Sequence, residues 1–248
     1  MLPVGAVTTI MRALQETVEE AEEEVNSTVP FTFDGGKMAR EGGSQLRGAE
    51  LRRHILLAAK NVFLETGFER ASMDAVAASA GTSKRSLYAH FESKDKLFLA
   101  VLDLVRELYL GKLMTPDVYA ADPVEAVALF CGRFQQLLTW EPQARTCRLC
   151  ISAAERLPDS AKAYYEAMFA VMYARLAGYL AAQYKIASPE AAALAEDLVG
   201  RTVLPRVFRV LLKAEPAIEE MPGAEATVEN VELEPIRRVV SAALGSRA

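Results

Sequence analysis

The sequence predicts an all-helical protein, and three observations carry that expectation. Ala, Leu, Glu and Arg are abundant while the 248 residues hold only 11 prolines, a mix that favours helix. Apolar residues recur at three- and four-residue spacing along most of the chain. No period-2 run bounded by a hairpin turn interrupts them. Apolar residues make up 51% of the chain, enough to bury a core and to argue against disorder as a whole-chain description. The expected order is an extension over 1–45, partly helical or disordered, a three-helix helix-turn-helix domain over 46–95, and a multi-helix domain over 96–248.

Several function classes are excluded early. No apolar run is long enough to span a bilayer, and the most apolar window, Met168 to Ala182, carries Arg175. The N-terminal residues lack the basic region, apolar core and small-residue cleavage site of a secretion signal, so a cytoplasmic protein without membrane contact is expected. Three cysteines, Cys131, Cys147 and Cys150, are too few for a disulfide framework. Two histidines, His54 and His90, leave little material for a metal site or a catalytic triad. There is no G-x-S-x-G elbow, no phosphate-binding glycine loop and no H-E-x-x-H. The expectation is therefore no enzyme, no catalytic residue, no metal and no cofactor. Cys147 and Cys150 form a lone C-x-x-C without further zinc ligands. They read as buried core cysteines or as a redox pair whose thiols Arg145 and Arg148 would acidify.

Charge is unevenly spread. The net charge is −5, but residues 46–114 carry +3, against −5 for 1–45 and −3 for 115–248. Such a local positive segment is what a nucleic-acid partner requires.

Taken in order, residues 1–25 space Ile10, Leu14, Val18, Ala21 and Val25 near one helical face, and a run of glutamates crowds the far end. Pro30 and the paired glycines at 35–36 and 42–43 then read as linker. The extension is either poorly ordered or a partner-binding helix. Residues 47–65 place Leu51, Ile55, Ala58, Ala59, Val62 and Phe63 at helical spacing, with Gly67 as terminator. Ser72 sits where an N-cap belongs, and Asp74 lies in the first turn of the helix it starts. Gly81 makes a turn, and Thr82 or Ser83 caps the next helix, which buries Leu87 and Phe91.

The charges on that second helix are unusual. Lys84 and Arg85 stand in its first turn, and Lys94 in the first turn of the following helix. A cation there opposes the helix dipole at roughly 0.3–1 kcal/mol. Helix stability does not explain the placement, whereas an external polyanion would, because phosphates suit helix N-termini and cations alike.

Residues 47–100 resemble the N-terminal DNA-binding domain of the TetR family of bacterial transcriptional regulators. Ile55, Ala58, Ala59, Phe63, Gly67, Phe68, Met73, Ala77, Ala80, Gly81 and Ser83 carry the resemblance. So do the runs Ser86-Leu-Tyr-Ala-His-Phe91 and Ser93-Lys94, and Leu97. The resemblance implies that Ser83, Lys84, Arg85 and Ser86 face the major groove, and that Ser72, Tyr88, His90 and Lys94 hold phosphates. Arg85 stands where a small residue is common in the family, and Ala89 where an aromatic or histidine is common.

Beyond it, helices are expected from Ser93 to about Leu113, from Pro123 to Trp140, and from Gln143 to Arg156. Others run from Asp159 to Tyr184, from Ser188 to Leu212 with a bend at Pro205, and from about Val228 to Leu244 with Pro235 as a kink. Residues 148–165 are similar to the AefR-like C-terminal domain within the same family. This resemblance implies a small-molecule effector. Phe130, Phe134, Tyr164, Met168, Phe169, Met172 and Tyr173 are the candidate lining, suited to a largely apolar molecule. Val203, Val207, Val210, Leu211, Val239, Val240 and Leu244 are the candidate dimer contacts. The expected function is a ligand-responsive regulator, a repressor, binding palindromic double-stranded operator DNA as a homodimer. The alternative is an interaction or ligand-sequestering module of the same fold that reads no specific DNA.

Overall fold

The computed structural model describes residues 48–110, 112–220, 222–223 and 228–245, with the side chains of 108–110 excepted. The expected extension over 1–45 lies outside the described residues. The chain divides into two units, 1–53 and 54–248. The first contributes residues 48–53 to the description, helical from Ala49.

Helix α1 spans Ala49–Arg70, with Gly67 at φ 78° breaking its regularity near the end. Helices α2 (Met73–Ser79) and α3 (Lys84–His90) form the helix-turn-helix, and α4 (Lys94–Leu110) leads out of it. Ile55, Ala59, Phe63, Phe68, Leu87, Leu97 and Phe98 are buried together in this part. The rings of Phe63, Phe68 and Phe98 meet at 5.0–5.9 Å between centroids, within the range where aromatic pairs add to plain burial.

After a 3-10 turn at Pro116–Val118 come α5 (Pro123–Thr139), α6 (Glu141–Ala153) and α7 (Pro158–Tyr165). A π-helical turn at Glu166–Ala170 joins α7 to α8 (Val171–Tyr184). Helices α9 (Ser188–Thr202), α10 (Leu204–Leu211) and α11 (Leu233–Leu244) complete the order. Among the described residues there is no strand, only a single bridge between Trp140 and Ile218. The protein is all-helical.

Helix α5 is the axis of the second half. Asp122 caps it, its carboxylate accepting from the Glu125 N–H at 2.8 Å. Buried residues occupy every position from Ala126 to Thr139 except Leu129, as expected of a helix surrounded by others. Gly132 explains how closely α11 lies against it. A Cβ at that position would stand 2.5 Å from the Leu233 side chain.

Three expectations change. The stretch after Ser188 is two helices broken at Val203, with Pro205 near the start of the second, where its missing N–H costs nothing. The last helix begins at Leu233, so Pro235 sits in its first turn and makes no kink. Val203, Val207, Val210, Val240 and Leu244, expected between protomers, are buried within the single chain. The exposed large apolar side chains of that region are Phe208 (57% exposed) and Leu212 (78%).

Candidate nucleic-acid interface

The helix-turn-helix is set by two serine caps and one glycine. Ser72 Oγ accepts from the Ala75 N–H at 3.1 Å, starting α2. Ser83 Oγ accepts from the Ser86 N–H at 3.1 Å, starting α3. Between them Gly81 adopts φ +58°, a left-handed conformation that side chains with a Cβ rarely take. Nothing lies within 4 Å of where its Cβ would be, so backbone conformation, not space, calls for glycine. The Thr82 N–H then donates to the Ala77 carbonyl at 3.0 Å. Buried Val76, Ala77 and Leu87 hold α2 and α3 to the core. The His54 ring contributes as well: its Nε2 donates to the Ala80 carbonyl at 3.2 Å while the side chain stays largely exposed.

This leaves a defined outer face on α3. Ser83, Lys84, Arg85 and Tyr88 are exposed, and Ser86 and His90 are half-buried. The Lys84 ammonium reaches back to Asp74 of α2 at 2.6 Å. Both partners are mostly solvated, so the pair contributes at most about 1 kcal/mol and can open. Arg85 makes no ion pair among the described residues. The serine hydroxyls at 72 and 83 are engaged as caps, and Ser83 also donates to Ser86 Oγ at 3.1 Å.

Lys94 corrects the dipole argument. Its ammonium donates to the carbonyls of Phe68 at 2.8 Å, Glu69 at 3.2 Å and Ala71 at 3.1 Å. It also lies 4.4 Å from the centre of the Phe68 ring. These are orphan carbonyls at the end of α1, which a cation satisfies well. The charge at the start of α4 thus has an internal reason that spacing along α4 alone does not reveal.

The end of α1 is tied to the second half from another side. Arg145 of α6 donates to the Leu64 carbonyl at 2.9 Å. Arg156, just beyond α6, pairs with Glu69 at 2.8 Å and lies 5.3 Å from the Phe68 ring. The Phe68 ring therefore has two cations near it, those of Lys94 and Arg156.

The candidate effector residues are gathered only in part. Phe130, Phe134, Tyr164, Met168 and Met172 are buried, and Phe169 and Tyr173 half-buried. The Phe134 and Phe169 rings meet edge to face at 6.0 Å. Tyr164 instead accepts a 2.8 Å hydrogen bond from Gln143 Nε2 of α6, and Phe130 packs its ring against Tyr119 at 6.4 Å. A cleft of about 710 Å³ lies elsewhere, between α9–α10 and α11, walled by Gln135, Thr202, Arg206, Glu232, Ile236 and Val239 among others. None of the seven residues lines it. The cysteines are plain core: burial pushes the Cys131 thiol up to about 12. Burial likewise raises Cys147, against smaller opposing effects of Tyr164 and Arg148. Among the described residues no group of His, Cys, Asp or Glu could hold a metal ion.

Comparison with known proteins decides the family. The model for bacterial regulatory proteins of the tetR family matches residues 55–101. The model for the C-terminal domain of AefR-like transcriptional repressors matches residues 125–226. The chain belongs to the TetR family. It is a member of a group of transcriptional regulators that bind DNA.

Over 60 residues this TetR-family chain is 48% identical to the transcriptional activator FasR of Mycolicibacterium smegmatis, covering 24% of this chain and 27% of FasR. Over 63 residues it is 36% identical to the repressor BepR of Brucella suis, covering 25% and 30%. The chain thus matches less than a third of the length of these curated relatives. A TetR-family regulator from Mesorhizobium loti superposes with a TM-score of 0.63 at 22% identity, over 82% of this chain and 97% of that one. The flavonoid-responsive regulator FrrA gives 0.62 at 24%, over 81% and 96%. At these identities the likeness establishes the fold. Among the described residues no helix is long and apolar enough to cross a membrane.

Proposed function

We propose that this TetR-family protein is a ligand-responsive repressor that binds a palindromic operator in the cytoplasm as a homodimer. The observation that carries the reading is the outer face of α3, where Arg85, Lys84 and Tyr88 stand exposed on a capped helix whose other side is locked in the core. Residues 46–95 act as the DNA-reading head, and 96–248 bind effector and pair the protomers. Arg85 reads a guanine through its planar fork. Lys84 leaves Asp74 for a phosphate, and Tyr88 and His90 add donors beside it.

Two heads are needed to engage two half-sites about one helical turn, or a multiple, apart. Phe208 and Leu212 supply the apolar surface for pairing. An effector that prefers one spacing of the heads shifts the population toward it, and DNA affinity changes by the ratio of its affinities for the two spacings. The contacts of Arg145 and Arg156 with the end of α1 give that shift a physical route to the head. The AefR-like repressor match over 125–226 supports the sign of regulation.

The test is selection of operator sites from a random DNA pool with the full-length protein. The expected product is an inverted repeat, bound with loss of preference in Arg85→Ala. Enrichment of no sequence, with DNA affinity insensitive to Arg85, would turn the reading toward a ligand-sequestering module of the same fold.

A further inference from the structure

Three successive residues just beyond α4 are gripped by three side chains from different elements. Arg133 Nε, on α5, donates to the Lys112 carbonyl at 3.0 Å. Arg175, on α8, donates to the Leu113 carbonyl. The Tyr119 hydroxyl accepts from the Met114 N–H at 3.0 Å. Two guanidinium groups from separate helices thus converge on one short stretch of backbone.

Arg133 has no exposed surface. Its other donors go to Gln136 Oε1 at 2.7 Å and to the Gly223 carbonyl. Every acceptor is neutral, and no carboxylate pairs with it among the described residues. Burying a cation without a counter-charge is costly, and buried cations are normally paired. Tyr119 does not supply the charge: burial pushes its hydroxyl above the ordinary phenol range, so it is neutral near pH 7. Desolvation also lowers Arg133 from its usual value, the mark of a charge held without full compensation. An apolar ring adjoins Tyr119, since buried Phe130 meets it edge-on at 6.4 Å.

We infer that the effector is an apolar carboxylic acid whose carboxylate is held by Arg133 and Arg175 beside Tyr119. This rests on the reading that the second half binds a small molecule, and it names the class of that molecule. Guanidinium binds carboxylate through a planar fork and more strongly than it binds a carbonyl. The incoming carboxylate therefore competes with the Lys112 and Leu113 carbonyls for the same donors. Those carbonyls belong to the stretch that follows α4, the helix whose first residue, Lys94, holds the end of α1. Binding releases the stretch just beyond α4 from the arginines and so reaches the head through α4.

The experiment uses the full-length protein and a panel of straight-chain acids from four to sixteen carbons, each matched with its primary amide. Thermal midpoint and calorimetric binding are measured without DNA. At least one acid should raise the midpoint and bind at least tenfold more tightly than its amide. Arg175→Gln, chosen because Arg175 is only half-buried, should keep its helical circular dichroism and lose that preference. Acid binding should also speed hydrogen exchange of the Met114 amide. Acids and amides that act alike, no binding by any acid, or an undiminished preference in Arg175→Gln would each overturn the proposal. An inverted-repeat operator found together with such a failure leaves the regulator reading standing. Acid binding without any operator does the reverse.

Discussion

The Lys94 ammonium sits 2.8 Å from the Phe68 carbonyl oxygen and 4.4 Å from the centre of the Phe68 ring. One cation thereby satisfies the end of α1 and rests on the ring that anchors it. Lys94→Met should keep the length and lose the charge. Loss of charge-assisted hydrogen bonds of this kind costs about 1.5–3 kcal/mol, measurable as a lower denaturant midpoint. The slope of log affinity against log salt should stay unchanged. A slope reduced by about 1 per head, at full stability, would instead place the ammonium on a phosphate.

Lys84 and Arg85 should behave differently from one another. Arg85→Ala is expected to relax preference at one base pair per half-site, worth about 1–3 kcal/mol. Binding to single-base operator variants measures it, and an unchanged ranking of those variants would remove Arg85 from the reading set. Lys84→Ala should weaken binding to all sequences alike. Asp74→Asn removes the partner that Lys84 now holds at 2.6 Å, and should strengthen nonspecific DNA binding at low salt.

The cysteines should be inert while the chain is folded. Burial raises all three thiols, so they stay protonated at pH 8. An alkylating reagent should label none of them under native conditions and all three in denaturant. The same shifts make stability fall with alkali. An unfolded thiol ionises near its ordinary value of about 8.5, whereas folded Cys131 holds its proton to about 12. This stabilisation is fully present below pH 8.5 and is lost as pH rises from there toward 12. A denaturation midpoint flat from pH 8 to 10.5 would contradict it.

Phe208 and Leu212 should matter for assembly and little for the single chain. The double change Phe208→Asp, Leu212→Asp is expected to yield a monomer by sedimentation with helix content preserved. A variant that remains dimeric would move the pairing surface elsewhere.

Much of this architecture is legible in the sequence, because local signals suffice for it. Helical spacing places the helices, Ser72 announces its cap, Thr82 and Ser83 narrow the second cap to two positions of which the structure uses Ser83, and Gly81 announces its turn. The misses share a physical cause, namely partners far away in the chain. The acceptors of Lys94 lie 23–26 residues earlier. Arg133 interrupts an apolar stretch that reads as ordinary core, and only the approach of Lys112 and Gly223 shows why a charge stands there. A stripe such as Val203, Val207 and Val210 says that a face is covered, but not whether its own chain or another covers it. The seven effector candidates share that ambiguity: their apolar character fits both packing and a ligand wall, and the rings of Phe134 and Phe169 simply meet each other.

The π-helical turn at Glu166–Ala170 has a consequence for heredity as well as for shape. Such a turn takes in one residue more than an α-turn would need. Removing a single residue within it would let α7 and α8 run on as one uninterrupted helix. The segments on either side would keep nearly their present register, because the wide turn takes up its extra residue locally, and only the side chains on the turn itself would change direction. Met168 and Phe169 ride on that turn, so a one-codon change in length would re-aim these two side chains while leaving the helices on either side in place.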